Sequence, residues 1–293
     1  MDPNPPGLTA RGDRSRGTLL VVASFVISAL VTFASLLGLF AFWPYQLETE
    51  NWVLQARGQD IGNLIAVVLL VVSAIRMRAG SPRAAQLWMG TLLYLLYAYL
   101  VYAFAVHFSR LFLVYVAILG LVCYTLIYAL HKGEHRSVAP RAAARVFAAW
   151  VLIGTGAVFA LLWLSELIPA TVTGQAPLSL EVAGLIVNPV HVIDLSVVLP
   201  GLIIIGVLAL RGNETGLVRV VPALVFSVLM GLSIIAAMAL IIATGDTSGL
   251  VPMVIVAVVV GASLAAAITY SHRRHDAPPA AVIAEHQRLA EEA

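Results

Sequence analysis

The chain has 293 residues, of which 61% are hydrophobic and 11% charged, with a formal net charge of +2 and a mean hydropathy of +0.97. Soluble domains carry about half apolar and about a quarter charged residues, so a soluble globular fold is excluded. Apolar runs recur along the whole length at about the 20 residues a helix needs to cross a bilayer core of about 30 Å. The sequence is therefore that of an all-α, polytopic membrane protein.

In chain order, residues 1–17 are rich in Pro, Gly and Arg and are expected to form a disordered cytoplasmic arm. Eight spans follow within 18–270, at roughly 18–43, 61–77, 86–106, 111–130, 146–165, 192–210, 220–243 and 249–270, and residues 271–293 make a polar cytoplasmic tail. The first apolar run is about 25 residues, longer than the 7–15 of a signal-peptide core, and no small-x-small cleavage pattern closes it. It reads as an uncleaved anchor. The longest stretch outside a span is 26 residues, Glu166 to His191, which leaves no room for a soluble catalytic or nucleic-acid-binding domain. The lone Cys123 removes a disulfide framework and any CxxC redox relay.

Several positions stand out along these spans. Ser24, Ser28, Thr32 and Ser35 follow helical spacing down the first span, and Gly261 and Ala265 form a small-xxx-small pair in the eighth; both sets are read as packing faces. Thr49 is an expected N-cap before Glu50, Asn51 and Trp52, giving a short interfacial helix within 45–59. Tyr94, Tyr97, Tyr99 and Tyr102 spread around more than half of the third span, which suits bundle packing. A further short helix is expected over 177–187, started by Pro177 and stopped before Asn188 and Pro189. The second and sixth spans each begin at an aspartate and end at arginine, a weak sign of a four-plus-four parallel repeat.

Charge placement gives the orientation. With the N-terminus cytoplasmic, 15 of the 17 basic residues fall inside, and only Arg57 and Arg110 outside. The positive-inside rule then places both termini in the cytoplasm, with the chain in the cytoplasmic (plasma) membrane. His131 with His135, and His272 with His275, are helix-spaced but sit in basic flanks, where solvated helix ends explain them.

The outer side holds the polar residues. Asp60 to Arg76 and Asp194 to Arg211 are short for a span, about 24 Å at 1.5 Å per residue, and an aspartate stem is too short to snorkel. Asp60 and Asp194 are thus expected just below the outer interface, with Asn63 and His191 one turn away on their faces. Arg57 and Gln59 precede the second span, His107 and Arg110 form the turn between the third and fourth, and Glu166 ends the fifth. These groups are expected to converge beneath the outer segments.

Three roles fit such a cluster. As a structural network, Arg57 and Arg110 pair with Asp60, Asp194 or Glu166. As a solute or ion site, the short helices and the Pro200-Gly201 break form the hinge and binding locus of a transporter. As a metal or general-base site, His107 and His191 join Asp60 and Asp194 to act on a lipid-soluble substrate, although no HxxxH or HExxH order supports it.

Arg57-Gly58-Gln59-Asp60, the run from Tyr94 through Tyr97, Tyr99 and Tyr102 to Ala103-Phe104, and Asn188-Pro189-Val190-His191 with Asp194 resemble segments of a group of multi-spanning bacterial membrane proteins without an established activity. The resemblance covers most of spans two to six and implies an architecture alone; cofactors and oligomeric state stay open. It does not extend to rhodopsin-like pigment proteins, because Lys132, the only lysine, lies outside every span. The sequence favours binding or transport of a small solute or ion in the bilayer. A scaffold or sensor binding a partner at its outer segments, and a membrane-embedded enzyme, are the alternatives.

Overall fold

A computed structural model describes residues 6–131 and 140–271, with side chains from residue 17 onward. Among the described residues the chain is all-helical: α1 (Pro6–Phe40), α2 (Glu50–Arg78), α3 (Pro82–Ala105), α4 (Phe112–His131), α5 (Ala142–Thr173), α6 (Leu178–Ala183), α7 (Pro189–Ile193), α8 (Leu199–Leu210), α9 (Glu214–Ala243) and α10 (Leu250–Ser271). Eight segments are long and apolar enough to cross a membrane, α7 and α8 together forming the sixth. His135, His272 and His275 lie outside the described residues, as does the tail beyond Ser271. The distal end of the bundle is defined below as the one carrying the connections that follow spans one, three, five and seven.

Local sequence sets the boundaries. Thr49 caps α2 by accepting from the Trp52 N–H at 3.3 Å, as expected. No break follows, however. α2 runs unbroken for 29 residues from Glu50, so the expected interfacial helix and the second span are one element. Asp60 therefore lies about 15 Å along the helix rather than at its start. Gly80, at φ 84°, closes the turn after α2 in the left-handed region that Gly enters freely. Ser81 and Pro82 then start α3. α1 begins at Pro6, inside the expected arm. α5 continues seven residues past Glu166 to Thr173, so that glutamate does not end a helix. α6 is shorter than expected, with Pro177 as its N-cap rather than its first residue.

The centre of the bundle is the contact between α2 and α9. Gly58 and Gly62 lie so close to Ala237 and Ser233 that a Cβ at either position would overlap them, which is how small residues at four-residue spacing let membrane helices approach. Ser24, Ser28 and Ser35 are buried as the packing face of α1, and Ser24 accepts from the Trp88 indole at 2.8 Å. The expected Gly261–Ala265 face is not used. Both residues are exposed and a Cβ at Gly261 would meet open space, because α10 presents Val256, Ser263 and Ala266 to the bundle instead.

Candidate functional site

Asn188 caps α7 by accepting from the Val190 N–H at 3.0 Å, with Pro189 at the first helical position. Eleven residues later Pro200 has no N–H to give, and its ring crowds the carbonyl four residues before it. The helix answers with a π turn over Asp194–Val198, in which the Leu199 N–H bonds five residues back to the Asp194 carbonyl. Such turns recur at functional positions. Here it carries Asp194 itself, 9% exposed. The Trp163 indole of α5 donates to Asp194 Oδ2 at 2.9 Å, and the Tyr97 phenol of α3 also acts on the carboxylate. His191 is buried with its ring 4.6 Å from that of Trp163, and Glu166 lies near enough to act on His191 electrostatically.

Asp194 faces a cavity of about 470 Å³ in the distal half of the bundle, bounded by α2, α3, α5, α7 to α9 and α10. Its wall on α9 extends from Phe226 to Met238, about 18 Å of helix. Val198, Leu199 and Leu202 bring it alongside Pro200-Gly201. The wall is mainly apolar, with Gln55, Gln59, Tyr97 and Tyr102 among its few polar groups, and Asp194 is the one acidic or basic side chain in it. An apolar cavity of roughly 300–1,000 Å³ with a few convergent polar groups is the usual form of a small-molecule site.

Asp60 has different surroundings. It is 2% exposed and lies outside the cavity wall. The Tyr45 hydroxyl donates to Oδ2 at 2.7 Å, and the Tyr102 hydroxyl stands 2.9 Å from Oδ1 and 3.1 Å from the Ala56 carbonyl. Burial, and then the neighbouring Asp60 charge, hold the Tyr45 phenol well above its ordinary pKa, so it remains a donor at physiological pH. The rings of Tyr99, Tyr102 and Tyr115 pack together with centroids 5.0 to 6.1 Å apart. Asn63 donates to Ser35 at 3.5 Å, and Gln59 links this network to Tyr94 at 2.6 Å.

The remaining expected site residues gather at the distal rim. His107 approaches Glu48 through its backbone N–H at 2.7 Å and its ring Nδ1 at 3.0 Å, the one ion pair among the described residues. Arg110 lies over the Trp43 ring at 5.7 Å. Arg57 acts on Asp60 only from beyond ion-pair distance.

The expected convergence of two acids, two histidines and two arginines is thus resolved into three separate groups. Among the described residues no arginine pairs with Asp60, Asp194 or Glu166; tyrosine donors occupy Asp60 and a tryptophan donor occupies Asp194. Among the described residues neither His107 nor His191 bonds to either aspartate. No group of three or more His, Cys, Asp or Glu able to hold a metal gathers among these residues. Trp163, Tyr45, Tyr115 and Glu48 were not among the expected site residues. The crowding of tyrosines in α3 was the available signal for two of the carboxylate partners, Tyr97 and Tyr102. No family model, curated protein or solved structure matches the chain.

Proposed function

We propose that this integral membrane protein binds a small solute in the distal cavity and moves it across the bilayer, with Asp194 as the polar anchor. The observation that carries this reading is the placement of a single acidic or basic side chain, unpaired with any cation among the described residues, in the wall of a mainly apolar cavity. A carboxylate on a spanning helix is costly and is retained where it does work. Gln59 and Tyr97 join it as hydrogen-bonding groups in the wall, and the π turn before Pro200 and Gly201 supplies a helix discontinuity of the kind that transporters use at their sites. Asp60 with Asn63, and His107 with Arg110, act in this reading as structural groups of the distal half. The positive-inside distribution of the basic residues supports cytoplasmic termini in the plasma membrane, and in that orientation the cavity occupies the outer half.

A packed scaffold would have no use for an open cavity. Thr155 lines it from α5, so in a Cys123→Ala background Thr155→Cys is expected to react with methyl methanethiosulfonate in the membrane. Complete protection of that thiol in the folded protein would turn the choice toward a scaffold or sensor.

A further inference from the structure

Resting on the solute-binding reading of the distal cavity, we infer that its ligand is a hydrophobic organic cation, held by Asp194 and by two aromatic pairs on either side of it. The first pair is Phe159 and Trp163 of α5, with ring centroids 6.4 Å apart. The second is Tyr97 of α3 and Phe226 of α9, 5.8 Å apart and edge to face. All four rings line the cavity. One member of each pair also acts on the carboxylate: Trp163 donates to it at 2.9 Å, and Tyr97 lies near enough to interact with it. Aromatic faces attract cations, and more strongly when water is excluded. The wall thus places aromatic rings beside its one formal negative charge.

The charge balance disfavours anions and strongly hydrated inorganic cations. An anion would meet Asp194 with no lysine, arginine or histidine in the wall to offset it. A strongly hydrated inorganic cation would have to shed its water for a wall offering one carboxylate and a few amide and hydroxyl groups, where compact ions take six or more oxygens. A soft cation with a large apolar body needs neither, since it loses little hydration and buries its body against the aliphatic wall.

The route in suits the same ligand. Leu162 of α5 and Val251 and Ile255 of α10 line the cavity and are also 47%, 69% and 42% exposed. This wall is therefore a seam facing the bilayer, through which a molecule dissolved in the lipid reaches Asp194. At the other end α5 and α10 close together, with Arg145 near Tyr270 and the Tyr270 hydroxyl bonded to the Leu217 carbonyl of α9 at 2.9 Å.

The probe is tetraphenylphosphonium, tested by equilibrium dialysis against the full chain in phosphatidylcholine nanodiscs, with empty nanodiscs as background. The isosteric anion tetraphenylborate separates charge selectivity from hydrophobic partition. Saturable binding of the phosphonium and not the borate, weakened about tenfold or more by Asp194→Asn and restored by Asp194→Glu, is the expected result. Equal binding of the borate, or an affinity unchanged in Asp194→Asn, overturns the inference; the comparison of the two ions on the unsubstituted protein holds even if the variant folds poorly. No phosphonium binding in a protein whose Thr155→Cys reacts freely would also overturn it while leaving the cavity as a site for another solute. A protected Thr155→Cys would remove the solute-binding reading beneath it.

Discussion

Around Asp60 every residue is close to its neighbours: Tyr45 and Tyr102 hold the carboxylate, and α1 approaches so tightly at Gly38 that a Cβ there would overlap Asp60 and the Tyr45 hydroxyl. Removing a hydroxyl from a buried, charge-assisted hydrogen bond costs about 1.5–3 kcal/mol. Tyr45→Phe is accordingly expected to lower the thermal midpoint in detergent while phosphonium binding at Asp194 persists; an unchanged midpoint would mean that the phenol does not hold the acid. Gly38→Ala is expected to cost about 1–3 kcal/mol by overpacking, read in the same melt. That both aspartates are drawn in from the surface was legible in the sequence, since the short apolar runs they begin leave an aspartate stem unable to reach the interface. Their separate environments were not, because a tyrosine's contacts depend on which helix faces it. The periodicity of α3 placed Tyr97 and Tyr102 on a helix but did not reveal that one meets Asp194 and the other Asp60.

Between residues and bundle stands the π turn of the sixth span. Pro200-Gly201 was visible as a break, but the distortion falls before it, over Asp194–Val198, because a proline disturbs the carbonyl four residues earlier. One residue in excess of the α-helical repeat corresponds to a rotation of about 100°. Deleting Val197, whose side chain is 66% exposed, is expected to return the turn to α-helical pairing and rotate Asp194 out of the cavity. Helical circular dichroism should then be retained and phosphonium binding lost. Retention of both would show that the turn does not aim the carboxylate. The start of α2 was misplaced in the sequence for a related reason: Arg57, Gln59 and Asp60 interrupt the apolar run, yet Thr49 caps one continuous helix through them.

At the scale of the whole molecule, hydropathy located the eight segments that, among the described residues, are long and apolar enough to cross a membrane, since each needs an apolar run of bilayer length. The cavity could not be read this way, because it arises from side chains on six of those segments. The proposed orientation rests on charge. In a Cys123→Ala background, Leu47→Cys in the distal loop, 62% exposed, is expected to react with an impermeant maleimide in intact cells, and Thr215→Cys at the start of α9 only after permeabilisation. The reverse pattern would invert the topology and place the cavity on the cytoplasmic side.

The central claim is that the Asp194 charge faces an accessible cavity, and the most direct measurement compares two thiol reagents at Thr155→Cys. A cationic ethylammonium methanethiosulfonate should be concentrated by the carboxylate relative to neutral methyl methanethiosulfonate. Thr155 lies eight residues, about 12 Å of helix, from the Trp163 that holds Asp194, and over such a distance at an intermediate dielectric the attraction is worth roughly a tenfold rate difference. Asp194→Asn is predicted to lower the cationic-to-neutral rate ratio by about that factor with the neutral rate unchanged. An identical ratio in the two proteins would contradict the account.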